Sequence, residues 1–299
     1  MIVLEDDQLP ELASELANDF PSSLYVHSLV IKKARGKLSW PGISFVVDRL
    51  PNSTVCVART DPAAAEKGYP PFINGYAVFI YSRDNEKLRA LLDEPALIDW
   101  SQRVGFICIR KPDVSKVVYD KIGAMGGTKA NSEADFYVDR AMLVGFDLTK
   151  LHLKYELPEG LRLGKLSVEH AQQLCEEKRY GYLPNNHLYF RYEIEHFPHR
   201  AIFDADGKPV AYILYRPDGC LGAGYVNPEH RGKGLFKIVC YEVLKELRDM
   251  GETHGFSDIT TGNVASLKAH LAIGACVYEN FECAFIEYVP KVDKLYNYK

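Results

Sequence analysis

The stretch NPEHRGKGLF, residues 227–236, links the segment CLGAGYV to a long amphipathic one. Its residue types together suit an anion. Arg231 and Lys233 carry positive charge, and Gly232 and Gly234 let the backbone approach a ligand closely. The Arg-x-x-Gly spacing is weak by itself and occurs three times, at Arg216–Gly219, Arg231–Gly234 and Arg248–Gly251. The first fits a hairpin turn and the third a helix end. Only the middle one follows a strand and opens a helix, where the first N–H groups have no intrahelical partner and the helix dipole is positive. A diphosphate fits such a place, and coenzyme A carries one. The competing reading is a basic turn before an ordinary amphipathic helix.

The large side chain of Phe236 fits either reading. Residues 236, 239, 240, 243, 244 and 247 are Phe, Val, Cys, Val, Leu and Leu, an i, i+3, i+4 stripe. Phe236 is expected to head this stripe and face the core, leaving its backbone N–H, with that of Leu235, for a phosphate.

The elements that must position this loop follow from periodicity. Strands are expected at 161–166, 200–205, 209–216, 220–226 and 256–260, with two closing strands over 276–289. Helices are expected after Ser167, at 186–196, from Lys233 to about Asp249, and from Asn263 to Ile273. Asp206-Gly207 and Asp218-Gly219 mark hairpin turns. In the first half, 7–19, 85–94 and 114–125 read as helices, and 24–31, 43–47, 54–58, 76–81 and 106–110 read as strands. The small, polar stretch 126–136 reads as a loop leading into another strand. The fold class is therefore α/β with a mixed sheet. A chain of 299 residues favours two domains, placed at 1–154 and 155–299, whose similar element order is compatible with a degenerate internal repeat.

Asn263, Ser266, His270 and Gly274 stand at offsets 0, 3, 7 and 11 in GNVASLKAHLAIGA. This pattern resembles the late helix of the GNAT acyltransferase superfamily, and VNPEHRGKGL with the strand order agrees with it. PSSLYVHSLVI, VVDRLPNSTV and EPALIDW, together with FPHRAIFDADGKPVAY and NPEHRGKGLFKIVCYEVLKELRDMG, are similar to the glycine N-acyltransferases within it. That branch tolerates a bulky apolar residue at the position of Phe236.

The resemblance implies tandem GNAT-like domains, the C-terminal one complete and the N-terminal one degenerate. It implies acyl-CoA or acetyl-CoA as co-substrate and an amino acid or other small amine as acceptor. A protein or peptide N-acetyltransferase and a non-catalytic acyl-CoA-binding regulatory module are the alternatives. Cofactor contacts are implied at Tyr225, Val226, Arg231, Gly232, Lys233, Gly234, Leu235, Phe236, Asn263 and Ser266; Asn263 is equally a helix N-cap. His270 stands where many members carry a Tyr acid, and is otherwise a surface helix residue. The family's base is thought to be a Glu, and Cys220 aligns with it. Asp218 and Glu229 are the nearby acids, acting through water or simply solvated in loops.

Composition narrows the remaining classes. Net charge is −4 with the basic residues scattered, so no nucleic-acid partner is expected. No apolar run approaches membrane-spanning length. The nine His form no HxxxH or HExxH pair, so no metal site is expected. The seven Cys include no CxxC and read as reduced, mostly buried thiols. The acidic start, MIVLEDDQLPEL, matches neither a secretory signal nor a mitochondrial presequence. The expectation is a cytoplasmic protein, with mitochondria the alternative implied by resemblance.

Overall fold

The computed structural model describes residues 1–61, 67–70, 72, 76–126, 128–129, 138–177 and 186–291. Its elements in chain order are β1 (Ile2–Val3), α1 (Leu9–Leu16), α2 (Leu24–Arg35), β2 (Ile43–Val47), β3 (Val55–Thr60), β4 (Ala77–Ser82), α3 (Asn85–Leu92), β5 (Val104–Arg110), α4 (Asp113–Met125) and β6 (Thr128–Lys129). There follow β7 (Val138–Asp147), β8 (Arg162–Gly164), α5 (Ala171–Glu177), α6 (Asn186–His196), β9 (His199–Phe203), β10 (Pro209–Tyr215), β11 (Cys220–Val226), α7 (Leu235–Asp249), β12 (His254–Thr260), α8 (Val264–Leu271) and β13 (Cys276–Val289). The expected loop at 126–136 lies mostly outside the described residues.

The chain forms two compact units, and neither is one continuous segment. Unit 1 comprises Met1–Arg140, Tyr182–Tyr189 and Phe281–Lys299; unit 2 comprises Ala141–Gly181 and Phe190–Asn280. The expected cut at 154/155 therefore falls inside unit 2. The unit 1 sheet runs β1-β2-β3-β4-β5-β13, antiparallel except for the parallel pair β4/β5. The unit 2 sheet runs β7-β12-β11-β10-β9-β8, antiparallel except for β11/β12. Unit 1 receives its last strand from the far end of the chain, Cys283–Tyr288 pairing with β5, while in unit 2 Ala141–Asp147, where its first segment begins, pair along the whole of β12. The two closing strands expected over 276–289 are one strand, and Asn280, left-handed at φ 63°, stands where it passes from unit 2 to unit 1.

Residues 24–31 belong to a helix, contrary to their β-branched and aromatic composition. Tyr25, Leu29 and Lys32, with Val26 and Val30, are buried at i, i+3 and i+4 spacing, and Gly36 closes the helix at φ 62°. Burial of that face against α1 outweighs the weak β preference of its residues.

Unit 2 is built around α7, which packs on β9, β10 and β11. Val239, Cys240, Val243, Leu244 and Leu247 are buried as the stripe requires. Its head is Leu235, only 1% exposed, with Ile238 a turn later; Phe236 is half-buried. All seven cysteines are free thiols, and six are buried.

Candidate functional site

Strands β11 and β12 begin side by side and then separate. Their parallel ladder consists of Cys220↔Phe256 and Leu221↔Ser257 and goes no further. Beyond it β11 stays with β10, through Tyr212↔Tyr225 and Ala211↔Val226, while β12 stays with β7 through Thr260↔Ala141. Each strand is held by its outer neighbour, which keeps the wedge between them open. The bulge in β11 sharpens the separation. Two steps on β10, from Tyr212 to Leu214, face three on β11, from Tyr225 to Gly222, and Ala223 takes the left-handed value φ 51°. Tyr225 and Val226 lie half-buried beyond the bulge, Tyr225 stacked on Tyr212 at 5.4 Å between centroids. A wedge edged by strand backbone suits an extended ligand with amide groups of its own.

The open end of β11 leads into the glycine loop. Asn227 Oδ1 accepts from Glu229 N–H at 3.0 Å, setting a short turn over Pro228–His230, and Arg231 Nε donates to the Val226 carbonyl at 3.2 Å. Gly232 and Gly234 are left-handed, at φ 78° and 77°. Added Cβ atoms would meet nothing at Gly232 and only the Lys237 side chain at Gly234, so conformation rather than space calls for glycine. Lys237 N–H and Ile238 N–H return to the Gly234 carbonyl, while the N–H groups of 232–236 make no backbone–backbone hydrogen bond among the described residues. Those donors, the dipole of the 15-residue α7, and the exposed Arg231 and Lys233 form a cradle that fits a diphosphate. The ring of Phe236 lies against Gly224, where a Cβ would come within 2.5 Å of it, and edge-on to His270 at 5.5 Å. It covers the α7 face of β11 rather than starting the core stripe.

Asn263 Oδ1 accepts from Ser266 N–H at 3.1 Å, capping α8. His270 is no surface residue: it is 2% exposed, between the rings of Phe146 and Phe236. Its Nδ1 lies 2.8 Å from the Ser266 carbonyl. A carbonyl only accepts, so Nδ1 carries the hydrogen and Nε2, which has no hydrogen-bond partner among the described residues, presents a lone pair in the neutral ring. Burial pushes the His270 pKa below the usual imidazole value, which favours that neutral form. In this state Nε2 is an acceptor.

A charged cluster sits where the two strands part. Arg216 Nη2 lies 2.6 Å from Asp218 Oδ2 and 3.0 Å from Asp258 Oδ2. The Cys220 thiol donates to Asp258 Oδ2 at 3.1 Å, and Cys220 N–H donates to Asp218 Oδ1 at 3.0 Å. Asp218 is thus not a solvated loop acid: its side chain is 2% exposed and engaged in closing the turn before β11. Complete burial, next to the negative charge of Asp258, pushes the Cys220 thiol far up, so it acts as a neutral donor rather than a thiolate. Glu229 stays exposed in the loop turn, apart from this cluster.

Residues 1–198 match the profile of a family described as aralkyl acyl-CoA:amino acid N-acyltransferase. The chain belongs to this family. Residues 165–275 also match the acetyltransferase (GNAT) family. Human glycine N-acyltransferase is 23% identical over 264 residues, covering 84% of this chain and 87% of its own; the bovine protein is 22% identical over 263 residues with the same coverage. Among solved structures, a Drosophila protein superimposes with a TM-score of 0.77 at 16% identity, covering 97% of this chain and 99% of its own. A tandem GNAT protein from the clavulanic acid biosynthesis pathway gives 0.51 at 14% identity, covering 96% and 97%.

The N-acyltransferase assignment draws attention to two residues that sequence reasoning missed. Arg216 was visible only as part of a hairpin turn, and Asp258 only as one letter of a strand. The available signal was a lone acid in FSDIT, next to Ile259 in the strand expected at 256–260.

Proposed function

We propose that the chain transfers an acyl group from acyl-CoA to the amine of an amino acid, with the coenzyme held in unit 2. The wedge between β11 and β12 opening onto the amide cradle at 232–236 carries this reading. The diphosphate lies over the first turn of α7, with Arg231 and Lys233 beside it. The pantetheine arm runs back along Tyr225 and Val226, past Phe236 and the N-terminus of α8 at Asn263 and Ser266. The thioester then reaches the place where the strands part. The cradle needs residues 141–147 as well as the later half, because β7 holds β12 away from β11.

Transfer requires a neutral amine at the thioester carbonyl and donors for the developing oxyanion. The backbone of β11 beside the bulge supplies a polar edge there. The test is CoA release from acetyl-CoA, a longer aliphatic acyl-CoA and an aralkyl acyl-CoA against a panel of amino acids. Free thiol is read with a thiol reagent and the amide by mass. Stoichiometric amide and CoA with an amino acid are expected. Binding of CoA without turnover of any pair would leave a binding module instead.

A further inference from the structure

We propose that Asp258 is the residue that takes the proton from the acceptor's ammonium group, and that the Arg216–Asp218–Cys220 cluster exists to position it. This rests on the acyl-transfer reading above. The last rung of the β11/β12 ladder is Leu221↔Ser257, so Asp258 is the first residue of β12 past the point of parting. Its direction follows from strand alternation. The Cβ direction of Gly255 meets Leu244 of α7, and Asp258, three residues on, faces the opposite side of the sheet. An acceptor can therefore approach from the face opposite α7, while the phosphates of the donor sit at the start of that helix.

The two carboxylates of the cluster differ in what holds them. Asp218 receives Cys220 N–H and is 2% exposed, whereas the Asp258 side chain keeps 15% exposure. On Asp258, Arg216 Nη2 and the Cys220 thiol converge on the same oxygen, Oδ2, at 3.0 and 3.1 Å, and Asp258 N–H donates back to Cys220 Sγ at 3.2 Å.

The step balances without any other reagent. The ammonium passes one proton to the Asp258 carboxylate, giving a carboxylic acid and a neutral amine. The nitrogen lone pair forms the C–N bond at the thioester carbon, and the carbonyl π pair moves to oxygen. When that pair returns, the C–S bond breaks and its electrons go to sulfur, which takes the surplus proton of the nitrogen. Asp258 then releases its proton to water. The products are an amide, free CoA and one proton.

The test uses the full chain. Asp258→Asn keeps the size of the side chain and should lower kcat about 100-fold or more, the range of general-base catalysis, with CoA affinity within twofold and the melting temperature retained. Arg216, Asp218, Cys220 and His270, the groups that bear on Asp258 among the described residues, all remain in the variant. Asp258→Ala should regain activity when formate is added, a response that a purely structural role does not give. An Asp258→Asn variant within threefold of the normal rate, or a folded Ala variant blind to formate, overturns the proposal. A wild type that acylates no amine removes the acyl-transfer reading, and this role with it. An active wild type with an active Asn variant removes the role alone.

Discussion

The two units carry the same junction and treat it differently. In each, a strand pairs in parallel with the next for two rungs only: Ala77↔Gly105 and Val78↔Phe106 in unit 1, Cys220↔Phe256 and Leu221↔Ser257 in unit 2. In unit 1 all six residues of β4 are buried, and Ile80, Phe106, Ile109, Leu88 and Leu92 join one apolar core there. In unit 2 only the first two residues of β11 are buried. The helix starts differ as well. Unit 1 passes from β4 to α3 through Arg83 and Asp84 alone, and Asp84 Oδ1 accepts from Lys87 N–H at 3.1 Å. Unit 2 takes the eight residues from Asn227 to Gly234, and its N-cap glycine has no side chain to offer. One helix start is satisfied by its own carboxylate; at the other, the N–H groups of 232–236 make no backbone–backbone hydrogen bond among the described residues, and the proposed function gives them to a phosphate. Topology makes the wedge in both units, but side chains decide whether it remains a site.

The sharpest way to break this contrast is to give unit 2 the cap of unit 1. Asp tolerates the left-handed region, and among the described residues only Lys237 comes near a Cβ at Gly234. Gly234→Asp should leave α7 folded by circular dichroism but weaken CoA binding about 100-fold, through repulsion and lost charge-assisted contacts of roughly 1.5–3 kcal/mol each. Normal affinity would show that the first turn of α7 does not face the phosphates.

Arg231→Ala comes next, with CoA affinity falling about tenfold and pantetheine affinity unchanged, since only CoA carries the diphosphate. Titrating both ligands by calorimetry decides it; equal losses would mean a distorted loop. Phe236→Ala should cost about 2 kcal/mol of stability in a urea titration, below the range for a fully buried aromatic, because the ring is half-buried over Gly224. The smallest effect belongs to unit 1. Asp84→Ala should cost about 1 kcal/mol as a lost N-cap, with no change in CoA affinity. A change in affinity would place part of the coenzyme site in unit 1.

Much of this was legible along the chain. The glycine loop, the following helix and the order of strands in the second half are local matters of turn chemistry and period, and they stand within a few residues of expectation. Asn263 caps α8 as its type and place required. Other points were not local. Residues 24–31 have the composition of a strand and the burial period of a helix, and packing against α1 decided between them.

The amino-acid sequence by itself determined where the glycine loop stands and that a helix starts after it, because left-handed glycines, adjacent positive charge and a helix start are all properties of one short segment. Only the tertiary structure decided the rest of the site. It moved Phe236 from the core stripe to the cover of β11, buried His270 with its Nε2 as an acceptor, and tied Asp218 into a turn. It also brought Asp258 to within 3.1 Å of the Cys220 thiol, 38 positions away in the chain. A charge acquires its chemical role from its neighbours and its access to solvent, and in this fold those come from strands far apart in sequence.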